Sequence, residues 1–398
     1  MSADGGYASY DYLRGDLPLP MVPLAPDGPR VAPWTTPPAP EVVARARVLV
    51  EESLTVSLHD HPVLFPADMA DTPRYNRTGR QHTAFAGLRS SGITIVLDGM
   101  MDGTACVTGN APWQWDDVVV DLGMRLADLA HSDDVVVVRS VAEAEAVHAA
   151  GKVGLVFGLE AATPIGNDLD KLDVLYGLGI RHCGLVYSDA NALGSGCNEP
   201  VDGGLTTLGR AAVRRMNRLG MAVDVAHSSD RTGIDACAVS EAPVLCTHAG
   251  AKAVWDIPRL KSDDLLRAVA GTGGVIGMSA APHTTVSHDH RAHSLASVMD
   301  HLLHCIDLVG IDHVGLGPDT LFGDHVGLHT TFSSLLQTAP RPGAPEPERV
   351  AWVDGMENPA ECFPNVAAWL LDHGFDDDDV RKVLGGNVLR ALRATWAR

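Results

Sequence analysis

Residues 204–227 read GLTTLGRAAVRRMNRLGMAVDVAH. Leu205 to Gly220 sets its apolar side chains at helical spacing, and Met221 to His227 is a short β-rich apolar run that ends in a histidine. The same kind of run recurs along the chain: TVSLH (55–59), ITIVLD (93–98), KVGLVFGLE (152–160), RHCGLVYSD (181–189), APVLCTH (242–248), GVIGMSA (274–280) and HVGLGPD (313–319). Amphipathic stretches separate the runs, among them SDDLLRAVAGTG (262–273), where Ser262 is placed to cap a helix. Apolar strands of parallel type alternating with helices predict an α/β protein. Eight such units fit a (β/α)8 TIM-type barrel with insertions better than an open sheet.

The ends read differently. Residues 1–40 carry repeated Pro and little periodicity, so they are expected as an extension along the surface without chemistry of its own. Residues 41–398 are expected as a single barrel domain, with a long loop at about 320–350 over the mouth. The run FDDDDVRKVLGGNVLRALRATW (375–396) predicts a C-terminal helical segment. Its Asp residues sit at a helix start and GGN (385–387) breaks the helix.

Composition narrows the partners. The chain has 398 residues, 30 Lys+Arg against 50 Asp+Glu, and a formal net charge of −20. Such a surface repels nucleic acid and anionic membranes, leaving a small molecule as the expected partner. No apolar run approaches a bilayer span and the N-terminus lacks a signal-peptide pattern, so the protein is read as cytoplasmic. Seven scattered cysteines without CxxC argue against a disulfide framework or a thiolate zinc site, and most are read as small buried apolar residues.

In a barrel of this kind catalytic side chains come from the C-terminal ends of strands. His59 and His61 close the first run two residues apart and therefore share one side of the chain, while Asp60 points the other way. Glu160, His227, His248 and Asp319 end four further runs. One histidine at a strand end is ordinarily a hydrogen-bonded structural residue; six ligand-type groups at strand ends are a set. Imidazoles and carboxylates without thiolate describe a hydrolytic metal centre open to water. Two ions bridged by Glu160 would activate water and polarise a carbonyl, with Asp319 moving the proton to the leaving group. His283, His288, His290 and His293 fall in a polar loop and are read as solvated surface. A His59-Asp60 dyad of the helical phosphohydrolase type is the other enzyme reading, but TVSLHDH is β-patterned. Neither GxSxG nor a strand-borne GxGxxG is present.

Taken in order, these motifs resemble the membrane (renal) dipeptidase family of the amidohydrolase superfamily, whose members are binuclear zinc barrels. The similarity runs through GLE (158–160), residues 204–227, APVLCTH, VGIDHVGLGPD (309–319) and RKVLGGNVLRAL (381–392). It implies two divalent ions, most simply Zn2+: His59, His61, Glu160 and Asp319 around one, and Glu160, His227 and His248 around the other. It also implies that Arg259, in IPRLKSDD (257–264), binds the substrate carboxylate, and it allows a homodimer. The chain departs from the family pattern twice. His61 stands where the pattern has Asp, and Tyr187 stands where it has a substrate-contacting histidine; a tyrosine there can donate to a developing oxyanion. The expected function is metal-dependent hydrolysis of an amide bond in a dipeptide or dipeptide-like carboxylated molecule. The alternatives are a diverged relative acting on a specialised metabolite, including non-hydrolytic cleavage, and a barrel that binds metal without turnover.

Overall fold

The computed structural model describes residues 6–16, 18–27, 33–76, 80–100, 114–333 and 346–396. Its strands in chain order are β1 (Val56–Ser57), β2 (His61–Leu64), β3 (Ile95–Met100), β4 (Val135–Val137), β5 (Val153–Leu159) and β6 (His182–Gly184). They continue with β7 (Ala222–Asp224), β8 (Val244–Ala249), β9 (Val275–Met278), β10 (Val314–Leu316) and β11 (Leu321–Phe322). The parallel pairings β1–β3–β5–β6–β7–β8–β9–β10 return to β1 through Ser57 opposite Leu316, closing a (β/α)8 barrel. Its eight members are the eight runs expected from the sequence.

The strands are apolar because both faces are buried, as all seven residues of β5 are. Alternation then divides them. Val56, Ile95, Leu97, Val156, Leu245 and Val275 form one cluster with Val388, Ala391 and Leu392 of the C-terminal helix Asn387–Trp396. Val96, Leu155, Phe157, Cys246 and Ile276 face a larger cluster shared with the surrounding helices. The helix Thr207–Leu219 shows how the sequence builds that layer. The Thr206 side chain accepts from Gly209 N–H, Ala212, Val213 and Met216 are buried, and Gly220 ends the helix in the left-handed region at φ 77°.

Two elements extend the expected plan. β4, from the apolar run at 135–138, pairs with the first half of β5 (Val135 opposite Val153), while β6 takes the second half of that edge. The stretch expected as a loop at 320–350 instead carries β11 and the helix His325–Ser333, because Leu321 and Phe322 pair with β2 and are fully buried. Its residues 334–345 lie outside the described residues, as does Cys106. Six cysteines are free thiols, five of them buried. The N-terminal segment is anchored: Tyr7 Oη, Ser9 Oγ and Tyr10 N all donate to the Asp128 carboxylate, and Tyr10 is 2% exposed. At the other end Asp376 caps Asp377–Arg381 and Ser262 caps Asp263–Gly271, as expected. The GGN break falls at Gly385, where a Cβ would meet Leu54 O at 2.3 Å. Among the described residues no helix is long and apolar enough to cross a membrane.

Candidate metal centre

The seam that closes the barrel also assembles the site. Leu58 N–H donates to Leu316 O, Asp319 N–H to His59 O and His61 N–H to Thr320 O, at 2.8, 2.9 and 2.9 Å, so the first and last barrel strands zip together beyond their regular pairing. Asp60 points away from the mouth, as alternation predicts, and accepts from Ser57 Oγ and from the N–H and Oγ of Thr320. That contact fixes the seam and turns His59 and His61 to one carboxylate. His61 Nε2 lies 3.1 Å and His59 Nε2 3.4 Å from Asp319 Oδ1. Asp319 holds this position with φ 62°, a left-handed conformation that a non-glycine residue keeps only when its surroundings impose it.

Glu160, at the end of β5, is shared. Its Oε1 stands 3.1 Å from His59 Nε2, 3.5 Å from His248 Nε2 and 3.7 Å from His227 Nε2. Two sets result, His59/His61/Glu160/Asp319 and Glu160/His227/His248, each with its ligand atoms within 4.8 Å of one another. Every member but His61, which is half-buried, is buried. Small residues make the space: a Cβ on Gly99 would lie 2.5 Å from His59 Cε1, and one on Gly184 would lie 1.8 Å from Glu160 O.

The electrostatics describe a pocket built around positive charge. Burial pulls the His59 proton affinity down, but the Asp319 and Glu160 carboxylates outweigh it and hold the ring well above the usual histidine range. Burial raises both carboxylates' proton affinity, and here too the facing histidines prevail and depress them. Across the site, burial and the Arg259 guanidinium lower His227 to about 4, and burial drives His248 well below its ordinary value. Two neutral imidazoles therefore bring Nε2 atoms within 3.0 Å of each other. Thr247 Oγ settles the His248 tautomer: it donates to Asp224 Oδ2 at 2.7 Å and so accepts from His248 Nδ1–H at 2.8 Å, leaving the Nε2 lone pair directed inward. His59 Nε2 and Glu160 Oε2 are buried without a well-directed hydrogen bond. Converging lone pairs from nitrogen and oxygen, without thiolate, fit divalent cations of the zinc type.

Tyr187 and Arg259, expected from the sequence beside the six ligand-type residues, also reach this region. Tyr187, half-buried, stacks on His227 at 4.0 Å with a 15° interplanar angle. Arg259 donates from Nη1 to Ala226 O at 2.6 Å and from Nη2 to His248 O at 2.8 Å, so it also holds the backbone beside two ligand-type histidines. The loop expected as solvated histidines is corrected in part: His293 is 1% exposed and His283 is half-buried, while His288 and His290 are exposed. His293 turns inward because its Nδ1 accepts from His283 N–H and its Nε2 bonds Thr285 Oγ1. Sequence reasoning missed Asp224 and Thr247, whose signal was adjacency to the strand-end histidines, and missed His325, whose Nε2 donates to Asp319 O at 3.0 Å.

Comparison with known proteins gives the chain a family. Residues 44–332 match the family described as membrane dipeptidase (peptidase family M19). Dipeptidase tcpJ of Claviceps purpurea is 31% identical over 276 residues, 69% of this chain and 58% of that protein. Dipeptidase aclJ of Aspergillus oryzae is 34% identical over 247 residues, 62% of this chain and 52% of that protein. The chain thus spans somewhat more than half the length of these curated relatives. An amidohydrolase from Pseudomonas aeruginosa shares the fold with a TM-score of 0.70 at 24% identity, over 89% of this chain and 99% of that one. The family match covers most of the barrel and includes every residue of the two ligand sets, and on that ground the chain belongs to the membrane dipeptidase family.

Proposed function

We propose that the chain is a metal-dependent hydrolase that cleaves the amide bond of a dipeptide or a dipeptide-like carboxylated molecule. The observation that carries this reading is Glu160, one buried carboxylate common to two sets of ligand-type side chains at the barrel mouth. His59, His61, Glu160 and Asp319 would hold one ion and Glu160, His227 and His248 the other. Two divalent ions, most simply zinc, would supply activation of water and polarisation of the scissile carbonyl. Arg259 uses one N–H of each Nη on a carbonyl, Nη2 also stands 3.4 Å from His227 Nε2, and the N–H groups left over would take the substrate carboxylate. The Tyr187 hydroxyl would donate to the carbonyl oxygen as negative charge develops there. Asp319 would accept the proton of the attacking water and return it to the departing amine. The dipeptidase names of the relatives support the leaving group, and residues 41–398 are read as the single domain that performs the reaction.

Metal content is the deciding measurement. Protein reconstituted with zinc should carry two ions per chain, Glu160→Ala should lose both, and Asp319→Asn should abolish dipeptide hydrolysis while the protein stays folded. A folded, reconstituted wild type that binds no metal would refute the reading. His61 favours a second version, in which the substrate has diverged: an imidazole replaces an anionic ligand, so the centre has one negative charge fewer than the family pattern.

A further inference from the structure

Of the six ligand-type residues, His61 alone lies on a strand outside the closed ring: it opens β2, which forms a separate two-stranded sheet with β11. β11 supports one edge of that strand. His61 pairs with Leu321, and its N–H donates to Thr320 O at 2.9 Å. The other edge rests on residues 82–84, where Leu64 N–H donates to His82 O at 2.7 Å, Ala84 N–H donates to Pro62 O at 3.0 Å and Val63 bridges Thr83. The N-terminal segment grips this second support twice. At residues 23–27 Leu24 bridges Pro66, Ala25 N–H donates to Phe65 O at 2.8 Å and Ala67 N–H donates to Pro23 O at 2.9 Å. The Asp27 carboxylate then accepts from Gly87 N–H at 2.6 Å and Ala86 N–H at 3.0 Å. At residues 7–10 Ser9 Oγ accepts from Thr83 N–H at 3.0 Å and donates to Asp128 Oδ2 at 2.5 Å, on the helix Trp115–Leu129, while the Tyr10 ring meets His82 edge-on at 5.1 Å. The two supports also meet. A Cβ on Gly87 would lie 2.6 Å from the Phe322 ring of β11 and 2.8 Å from Asp27 Oδ1.

We propose that the N-terminal segment is a strap that positions His61 and thereby sets the affinity of the His59/His61/Glu160/Asp319 set for its ion, with Ser9 and Asp27 as the positioning residues. The inference rests on the metal-centre reading above and gives a role to a segment expected to have none. A ligand that is loosely held must be ordered when the ion binds, and hydrogen bonds that fix its backbone beforehand remove that cost. His59 and Glu160 end runs whose strands, β1 and β5, belong to the ring, so the barrel fixes them without help. His61 has no such frame. The Thr83 N–H bond to Ser9 and the Ala86 and Gly87 N–H bonds to Asp27 hold the segment against which β2 is registered. His227 and His248 come from β7 and β8, away from these contacts, and the Glu160/His227/His248 set is therefore indifferent to the strap.

The test uses full-length protein stripped of metal and titrated with cobalt(II), whose visible absorption reports the coordination of each ion, with zinc affinities from competition against a chromophoric chelator. The spectral change missing in His61→Ala identifies the ion of the first set. Ser9→Ala combined with Asp27→Ala should weaken that ion about 10- to 100-fold and leave the other unchanged. Each single substitution should give a smaller loss of the same kind, and Ser9→Thr, which keeps the hydroxyl, should give none. In a His61→Ala background the pair should cost nothing further, because the strap acts through that ring. Where the double variant does not fold, the single variants decide by the same criteria. Unchanged affinity in folded variants, including variants that lose only urea stability, overturns the strap and leaves the metal centre standing. So does an equal loss at both ions, or a further loss in the His61→Ala background. A folded wild type that binds no metal overturns the metal centre and the strap together.

Discussion

Thr247 shows how much of the site depends on side chains that touch no substrate. Its hydroxyl carries the alignment from the Asp224 carboxylate to the His248 ring, so Thr247→Val should keep the packing and release the tautomer. We expect zinc affinity to fall about 10- to 100-fold at the Glu160/His227/His248 set, read by competition with a chromophoric chelator, with little change in the other set. His61 is the complementary case. Restoring an anion with His61→Asp should tighten metal binding and raise dipeptide turnover if this position set the divergence. Unchanged kinetics at full metal content would count against that role. Both expectations follow from the first row of side chains around the proposed ions, where one lone pair or one charge changes the result.

At the scale of the element, strand ends are held in register by backbone contacts that leave no room for a Cβ. Gly184 is the clearest instance: β6 passes so close to Glu160 that an added methyl group would sit 1.8 Å from the Glu160 carbonyl oxygen. Gly184→Ala must therefore push β6 away from β5 at the residue shared by both ligand sets. We expect a loss of at least 2 kcal/mol or so in urea unfolding, together with weakened metal binding, from the strain of overpacking. A variant of normal stability and metal content would contradict that account. The seam between β1 and β10 works by the same logic, with Asp60 and Thr320 bridging the ends that present His59, His61 and Asp319. These strand ends were legible as an apolar run finishing in a ligand-type residue. β4 went unread although its run of valines was visible, because it pairs with half an edge of β5 outside the closed ring of eight, a placement that leaves no mark in residue spacing.

Across the whole molecule, buried neutral histidines tie stability to pH. His301 is 0% exposed: its Nδ1 accepts from Ala251 N–H and its Nε2 donates to Val286 O, both at 2.9 Å. Only the neutral ring can make both bonds, and burial lowers its pKa to about 4. The unfolded chain, titrating near the ordinary value of about 6.5, binds more protons across the interval below it. Its contribution is thus complete above about pH 6.5 and is lost as pH falls towards about 4, at about 1.4 kcal/mol per pH unit. Urea midpoints measured from pH 7 to pH 4 should fall accordingly, and His301→Gln should flatten the slope by about one proton. An unchanged slope would show that the ring does not stay neutral in the folded protein.

The sequence by itself determined the alternation of apolar runs and amphipathic helices, and it marked the ligand-type residues where those runs stop. Periodicity is local, and a barrel places the ends of all its strands at one mouth, so a list of strand ends is already a list of neighbours. That Glu160 would serve both sets was expected from the sequence; the tertiary structure supplies the distances that bring histidines from three other strands within reach of its one carboxylate oxygen. It alone decided that Arg259 grips two backbone carbonyls and that Asp224 orients His248 through Thr247. It also turned His283 and His293 inward from a loop of polar composition, since a hydrogen bond to a ring nitrogen and a left-handed backbone leave no trace in residue spacing.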